Sequence, residues 1–181
     1  MMTDDIRNYR VEEQLKNGKR VIIRAIRPDD KERIVWAFRN LEKESIYTRL
    51  FTFKKELSEG DLKRITEVDF DREVALVVTH TDGEGEVIIG SGRYVITGEA
   101  AGGPQAEVAF LVEEDFHGLG MARIILRHLT DIARSRGIAA FEAEVLPGNK
   151  AMLTAFARSG LPMEKRYGGD TVHIILSLMD K

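Results

Sequence analysis

The sequence predicts an α/β or α+β sandwich, a central sheet flanked by helices. Three observations lead there. The chain is 181 residues long, within the range of about 100–200 residues usual for one domain. Its middle, Glu73 to Val112, is a run of β-rich segments broken by Gly-containing turns. Segments with helical spacing of apolar residues stand on either side of that run.

In order along the chain, Tyr9 to Leu15 alternates loosely, and Lys16-Asn17-Gly18-Lys19 supplies an Asn-Gly hairpin turn. Val21 to Ile26 follows as a β-branched strand that Arg27-Pro28 ends. Asp29 or Asp30 caps a helix running to about Glu42, with Ile34, Val35 and Phe38 on one face. Ser45 to Phe51 reads as a second short helical piece. Ser58-Glu59-Gly60-Asp61 opens a third, with the spacing of a capping box in which Asp replaces Glu or Gln.

Glu73 to His80 is then a strand, Asp82-Gly83-Glu84-Gly85 a turn, and Glu86 to Thr97 a strand interrupted by Gly90 and Gly92. Gly98 to Pro104 reads as a loop rich in Gly and Ala, and Gln105 to Val112 as the next strand. Gly120 to Arg136 carries apolar residues at 121, 125, 129, 132 and 133, a helical spacing closed by Gly137. Ile138 to Leu146 is a strand, and Asn149 to Ser159 a helix closed by Gly160. Met163 to Leu178 is a hairpin around Gly168-Gly169. No repeat, low-complexity stretch or linker divides the chain. Residues 1–181 therefore read as a single domain, with 1–19 an N-terminal extension carrying a hairpin strand.

Composition excludes several kinds of function. The chain has no cysteine, which removes disulfide scaffolds, thiolate zinc sites, iron–sulfur clusters and cysteine nucleophiles. Lys+Arg 27 against Asp+Glu 30 gives a net charge of −3, so no global positive field points to nucleic acid. Apolar runs reach only about five residues, against roughly 20 for a membrane-spanning helix. The acidic start Met1-Met2-Thr3-Asp4-Asp5 lacks the apolar stretch of a signal peptide. A soluble, cytoplasmic protein is the expectation, with neither a nucleic acid nor a membrane as partner. The four histidines, at 80, 117, 128 and 173, have no metal-ligand spacing, so no metal is expected.

The chemistry concentrates between Gln105 and Gly120. Ala106 to Val112 is an apolar strand carrying one carboxylate, Glu107. It leads through Glu113-Glu114-Asp115 into His117-Gly118-Leu119-Gly120-Met121-Ala122 and then a helix. Glycines at a strand-to-helix turn let backbone amides approach a ligand, and those amides sit at the positive end of the helix dipole. Such a loop suits a phosphate; taken alone, it equally suits an empty turn. A dinucleotide fingerprint needs Gly or Ala where Arg123 stands, and no Gly-Lys-Ser/Thr occurs. Both of those phosphate motifs are rejected.

What fits is the coenzyme A signature Gln/Arg-x-x-Gly-x-Gly/Ala of the GNAT acyltransferase superfamily, which His117 to Ala122 resembles everywhere except at His117. More narrowly, Arg20 to Leu178 resembles the acetyltransferase domain of bacterial protein lysine acetyltransferases. The patches that carry this are Ile26-Arg27-Pro28-Asp29-Asp30, Ser45-Ile46-Tyr47-Thr48-Arg49-Leu50-Phe51 and Val68-Asp69-Phe70-Asp71-Arg72-Glu73. The resemblance implies the GNAT fold, an α/β (α+β) fold with a mixed, mostly antiparallel central sheet flanked by helices, and acetyl-CoA as co-substrate. It implies that the backbone of Leu111 and Val112 pairs with the pantetheine arm like an added strand. Amides of Gly118, Leu119, Gly120, Met121 and Ala122 would hold the pyrophosphate, beside His117. Arg123 adds a salt-sensitive phosphate contact or is a solvated helix residue. Asn149 matches an asparagine that commonly touches coenzyme A. Phe156 stands where a tyrosine often protonates the leaving thiolate, which leaves the general acid to water or Tyr167.

A lysine amine with a pKa of about 10.4 is neutral roughly once in 2,500 molecules at pH 7, so deprotonation costs about 4.6 kcal/mol. A carboxylate in an apolar setting can accept that proton, directly or through water. Glu107 is the one charge in its strand, and it matches the position that often supplies the base in the resembling family. Otherwise it is an edge-strand glutamate facing water. Glu142 and Glu144, on one face of the next strand, are the reserve candidates unless solvated or paired. The combined expectation is acetyl transfer from acetyl-CoA to a primary amine, a protein lysine first. Transfer is direct, because no cysteine can carry an acyl group. A small amine (polyamine, aminoglycoside or amino acid), a non-catalytic acyl-CoA-binding module and an interaction domain are the competitors. Acidic Asp69-Phe70-Asp71 and Glu113-Glu114-Asp115 would steer a basic protein acceptor, or are merely solvated. Oligomeric state stays open, with a homodimer among the options.

Overall fold

The computed structural model describes residues 6–39, 57–83, 85–112 and 120–179, the side chains of Asp82 and Val112 excepted. Eight strands form one sheet: β1 Arg10–Gln14, β2 Arg20–Ala25, β3 Glu73–Asp82, β4 Gly85–Ala100, β5 Gly103–Val112, β6 Ala140–Val145, β7 Met163–Gly168 and β8 Thr171–Ser177. Their order is β1-β2-β3-β4-β5-β6-β8-β7. Every neighbouring pair is antiparallel except β5 and β6, which are parallel. Among the described residues four α-helices accompany the sheet: α1 Lys31–Arg39, α2 Glu59–Thr66, α3 Met121–Ser135 and α4 Lys150–Ala157.

The long helix α3 supplies the crossover that a parallel pair requires. Its apolar stripe buries Met121, Ile125, Leu126, Leu129, Ile132 and Ala133. Gly90 and Gly92 interrupt the hydrophobic pattern of β4 because the helix rests on them. A Cβ at Gly90 would collide with Met121 Sδ, and one at Gly92 with Ile125 Cγ2. On the same face, Tyr94 stacks on Phe141 at 5.6 Å between ring centroids, and Phe110 meets Phe156 of α4 edge-on at 5.9 Å. The opposite face receives α2, where buried Arg93 of β4 donates to Ile65 O at 2.9 Å and pairs with Glu73 at 2.6 Å. Ser58 and Asp61 form the reciprocal capping box that their spacing predicts, at 3.1 and 3.0 Å.

Three expectations need correction. The segment Gly98 to Pro104 is not a loop: β4 runs to Ala100 and β5 begins at Gly103, with Gly98↔Gln105 and Ala100↔Gly103 in register. Gly102, at φ 96°, makes the tight turn, so the Gly/Ala richness belongs to a hairpin end. Secondly, α1 buries Ile34 and Ala37, whereas Val35 and Phe38 are only partly covered.

Thirdly, Asp30 does more than cap. A 3-10 turn, Pro28–Asp30, precedes α1, and Asp30 accepts from Arg27 N at 2.8 Å. Its fully buried carboxylate also takes a bidentate pair from Arg24 at 2.7 and 2.9 Å. Arg24 reaches Glu86 of β4 as well, at 3.0 Å. Burial alone would raise the Asp30 and Glu86 carboxyls. Hydrogen bonds from Arg24 outweigh it, joined by the Arg27 amide at Asp30, and hold both below the ordinary carboxylate range.

The patch Val68 to Glu73 is likewise used for structure. Asp69 Oδ1 accepts the amides of Asp71, Arg72 and Glu73 at 2.9–3.1 Å, and Asp71 pairs with Arg136 at 3.2 Å. Asp69 Oδ1 is thus turned into its own loop, while the residue stays exposed at the surface. The patch Ser45 to Phe51 and the acidic Glu113 to Asp115 lie outside the described residues.

Candidate active site

The sheet parts at its centre. β5 and β6 pair only at Gln105↔Ala140, Ala106↔Phe141 and Glu107↔Glu142. Beyond Glu107, β5 follows β4 as far as Val112↔Gly90, while β6 follows β8 to Val145↔Val172. From Val108 to Val112 the β5 edge turned toward β6 therefore has no strand partner among the described residues. An unpaired strand edge can hydrogen-bond an extended ligand, as an added strand would. Leu111 and Val112 lie on this edge, and Phe110 with Phe156 floors the opening on the helical face.

Glu107 is the last β5 residue paired with β6, so it stands where the strands separate. Ala106, Val108 and Phe110 are buried on the helix α3 face; Glu107 alternates to the other face and is half-buried. It is a central-strand residue, not an edge-strand one. Its neighbour Glu142 lies one strand spacing away, about 4.8 Å. Glu142 accepts from Gln105 Nε2 at 2.8 Å and Thr97 Oγ1 at 3.1 Å. Glu144 accepts from Thr171 Oγ1 at 2.6 Å and contacts His173 Nδ1 at 2.7 Å. His173 Nε2 is 3.6 Å from Glu142, so it links the two carboxylates. The reserve candidates are thus held by neighbours, in a polar cluster that shares a face with Glu107.

At the far end of the opening, Gly120 enters α3 in the left-handed conformation, φ 83°. Ile124 N bonds back to Gly120 O at 3.1 Å, so the amides of Met121, Ala122 and Arg123 precede the helical ladder, at its positive end. Lys16, from the β1–β2 turn, lies across Gly120: its Cε is 3.3 Å from where a Cβ would stand. A groove of about 400 Å³ runs from there along α3, lined among others by Lys16, Arg123, Arg127, Thr130 and Arg134. His117, Gly118 and Leu119 lie outside the described residues.

The β1 strand is fastened to α3 by a side-chain network. Tyr9 OH meets His128 Nδ1, His128 Nε2 meets Glu13 Oε1 at 2.7 Å, and Arg127 donates to the same oxygen at 2.5 Å. Burial would raise the Glu13 carboxyl, but the hydrogen bonds from His128 and Arg127 prevail and lower it.

Two further expected residues have defined places. Asn149 caps α4, its Oδ1 accepting from Met152 N at 3.2 Å. Tyr167, 75% exposed, pairs in register with Val172 and through it Val145, which puts it on the sheet face opposite Glu107. Phe156, which packs on Phe110, lies on that same face. No local signal in the sequence gives Lys16 or His173 a functional role, because only long-range strand pairing and packing bring them to their neighbours.

Residues 36–161 match the profile of the Acetyltransferase (GNAT) family. "Acetyltransferase PA5475" of Pseudomonas aeruginosa is 31% identical over 141 residues, 77% of this chain and 74% of that protein. "Acetyltransferase Pat" of Mycolicibacterium smegmatis is 30% identical over 147 residues, 81% of this chain; the match spans 43% of the mycobacterial protein. Among solved structures, the GNAT domain of S. lividans PAT superposes with a TM-score of 0.79 at 35% identity, covering 93% of this chain and 96% of that domain.

Proposed function

This chain belongs to the GNAT acetyltransferase family and is an N-acetyltransferase, and we propose that it passes acetyl from acetyl-CoA directly to a lysine side chain of a protein. One observation carries the catalytic part: the single carboxylate of β5, Glu107, sits where β5 and β6 part. A thioester bound along the unpaired β5 edge brings its carbonyl to that point. Glu107 takes the proton of the attacking amine, and the amine nitrogen forms its bond to the carbonyl carbon as the thiolate leaves. Backbone amides along the opening stabilise the developing oxyanion. Leu111 and Val112 hold the pantetheine arm through their main chain. Gly120, Met121, Ala122 and Arg123, with His117, Gly118 and Leu119 before them and Asn149 nearby, form the rest of the coenzyme site. Phe156 has no hydroxyl, so the proton for the thiolate comes from water or Tyr167.

A protein acceptor is favoured by the likeness to Pat and to the PAT domain, together with the Ile26–Asp30 and Val68–Glu73 patches. Incubating the protein with acetyl-CoA and a cell extract, then mapping acetyl-lysines by mass spectrometry, tests it. Sites above the enzyme-free background are expected. Their absence, with good turnover of spermidine or an aminoglycoside, would make the acceptor a small amine.

A further inference from the structure

We propose that Glu142 is a positioning residue for the reaction: its negative charge, held one strand away from Glu107, raises the proton affinity of Glu107 and makes it the stronger base. The inference rests on Glu107 being the base and adds a residue that acts through it.

Two carboxylates stand side by side where the sheet parts. Glu107↔Glu142 is the last register pair of β5 and β6, and directly paired residues share a face. Both residues are half-buried, the Glu142 side chain being 16% exposed. Like charges directly opposite one another destabilise a sheet. Here the fold keeps such a pair at the one place where an amine has to lose a proton. A carboxylate beside another holds its proton more tightly, because ionising both brings two like charges together.

Hydrogen bonds decide which of the two is the stationary charge. Glu142 Oε1 accepts from Thr97 Oγ1 at 3.1 Å, and its Oε2 accepts from Gln105 Nε2 at 2.8 Å. Gln105 precedes Glu107 on β5 by two residues and Thr97 belongs to β4. The Glu142 carboxylate is thus pinned toward the strand that carries the base, with both oxygens used as acceptors.

The other charges around this face have nearer partners among the described residues. Beyond uncharged Val95 of β4, Glu73 of β3 pairs with Arg93 at 2.6 Å. From the helices, Arg33 of α1 pairs with Asp30 at 3.0 Å and Arg64 of α2 with Asp61 at 2.9 Å. Past β6, His173 Nδ1 lies 2.7 Å from Glu144 while its Nε2 is 3.6 Å from Glu142, so its charge, when it carries one, answers Glu144 first. Glu164 and Arg166 of β7 pair with each other at 2.9 Å. Glu142 is therefore the charge in register with Glu107.

The test is a carbon-13 NMR titration of the glutamate carboxyls, which needs no acceptor, with the Glu107 signal assigned by its loss in Glu107→Gln. In the wild type the pair should titrate in two coupled steps. In Glu142→Gln, which keeps the shape, Glu107 should titrate once, about 0.5–2 pH units below the upper step. That is the range for unit charges about 5 Å apart, from water to an effective dielectric constant near 20. Glu142→Asp keeps the charge and should keep two steps, and Glu144→Gln should move Glu107 less. The acid limb of kcat/KM, for spermidine or a mapped protein lysine, should follow the Glu107 midpoint, with acetyl-CoA affinity unchanged. An unmoved Glu107 midpoint in Glu142→Gln, or an equal move in Glu144→Gln, would overturn the role of Glu142 and leave the base in place. Wild-type turnover in Glu107→Gln would remove the base itself, and this inference with it.

Discussion

The Arg24 cluster and the Lys16–Arg123 groove both gather charge, and they dispose of it in opposite ways. Arg24 is 5% exposed and divides its donors between Asp30 and Glu86, while Asp30 also takes the Arg27 amide and Arg33. Every charge there is answered within the protein. In the groove, exposed Lys16 and Arg123 share the wall beside α3 with Asp131, and among the described residues no ion pair joins them. A closed set of buried charges serves the fold, because removing one partner strands the other. An open set of exposed charges is answered by solvent, so losing one member costs the fold little.

The largest effect should come from breaking the closed set. Asp30→Ala leaves Arg24 buried without its bidentate partner, a change that typically costs about 3–5 kcal/mol. Urea unfolding should show that loss, while the folded fraction binds coenzyme A with wild-type affinity. A coenzyme defect as large as the stability defect would erase the contrast between the two regions.

A smaller effect should follow from acid. Asp30 and Glu86 titrate below their ordinary values in the folded protein. Their stabilisation is therefore complete above the ordinary carboxylate range, and it is lost as pH falls through the depressed folded-state values. Urea midpoints should fall from pH 5 toward pH 2. Removing Asp30 should flatten that fall, whereas Lys16→Ala should leave its slope unchanged.

The sequence made much of the scaffold legible and little of this contrast. Gly137 and Gly160 marked helix ends, and the Ser58 capping box could be read, because each is a local signal. The β4–β5 hairpin end was hidden because Gly and Ala suit both loops and tight turns. The patches Ile26–Asp30 and Val68–Glu73 carried the family resemblance, yet the described structure uses Asp30 and Asp69 to hold buried pairs and turns. The β5 strand and its lone Glu107 were visible; its place at the parting of β5 from β6 was not, since register between distant strands has no local signature. Lys16 was read as part of a turn, and nothing nearby in sequence connects it to Gly120, more than half the chain away.

The central claim is that Glu107, standing where β5 leaves β6, is the base for attack by the amine. Glu107→Gln keeps the shape and removes the proton acceptor. Acetyl-CoA affinity and turnover of an unacetylated protein acceptor should be measured on the same preparation at pH 7 and at higher pH. Unchanged affinity is expected, with kcat/KM down by about 10²–10⁴ near neutrality and partly recovered as the solution supplies neutral amine. Wild-type turnover at pH 7 would contradict the claim.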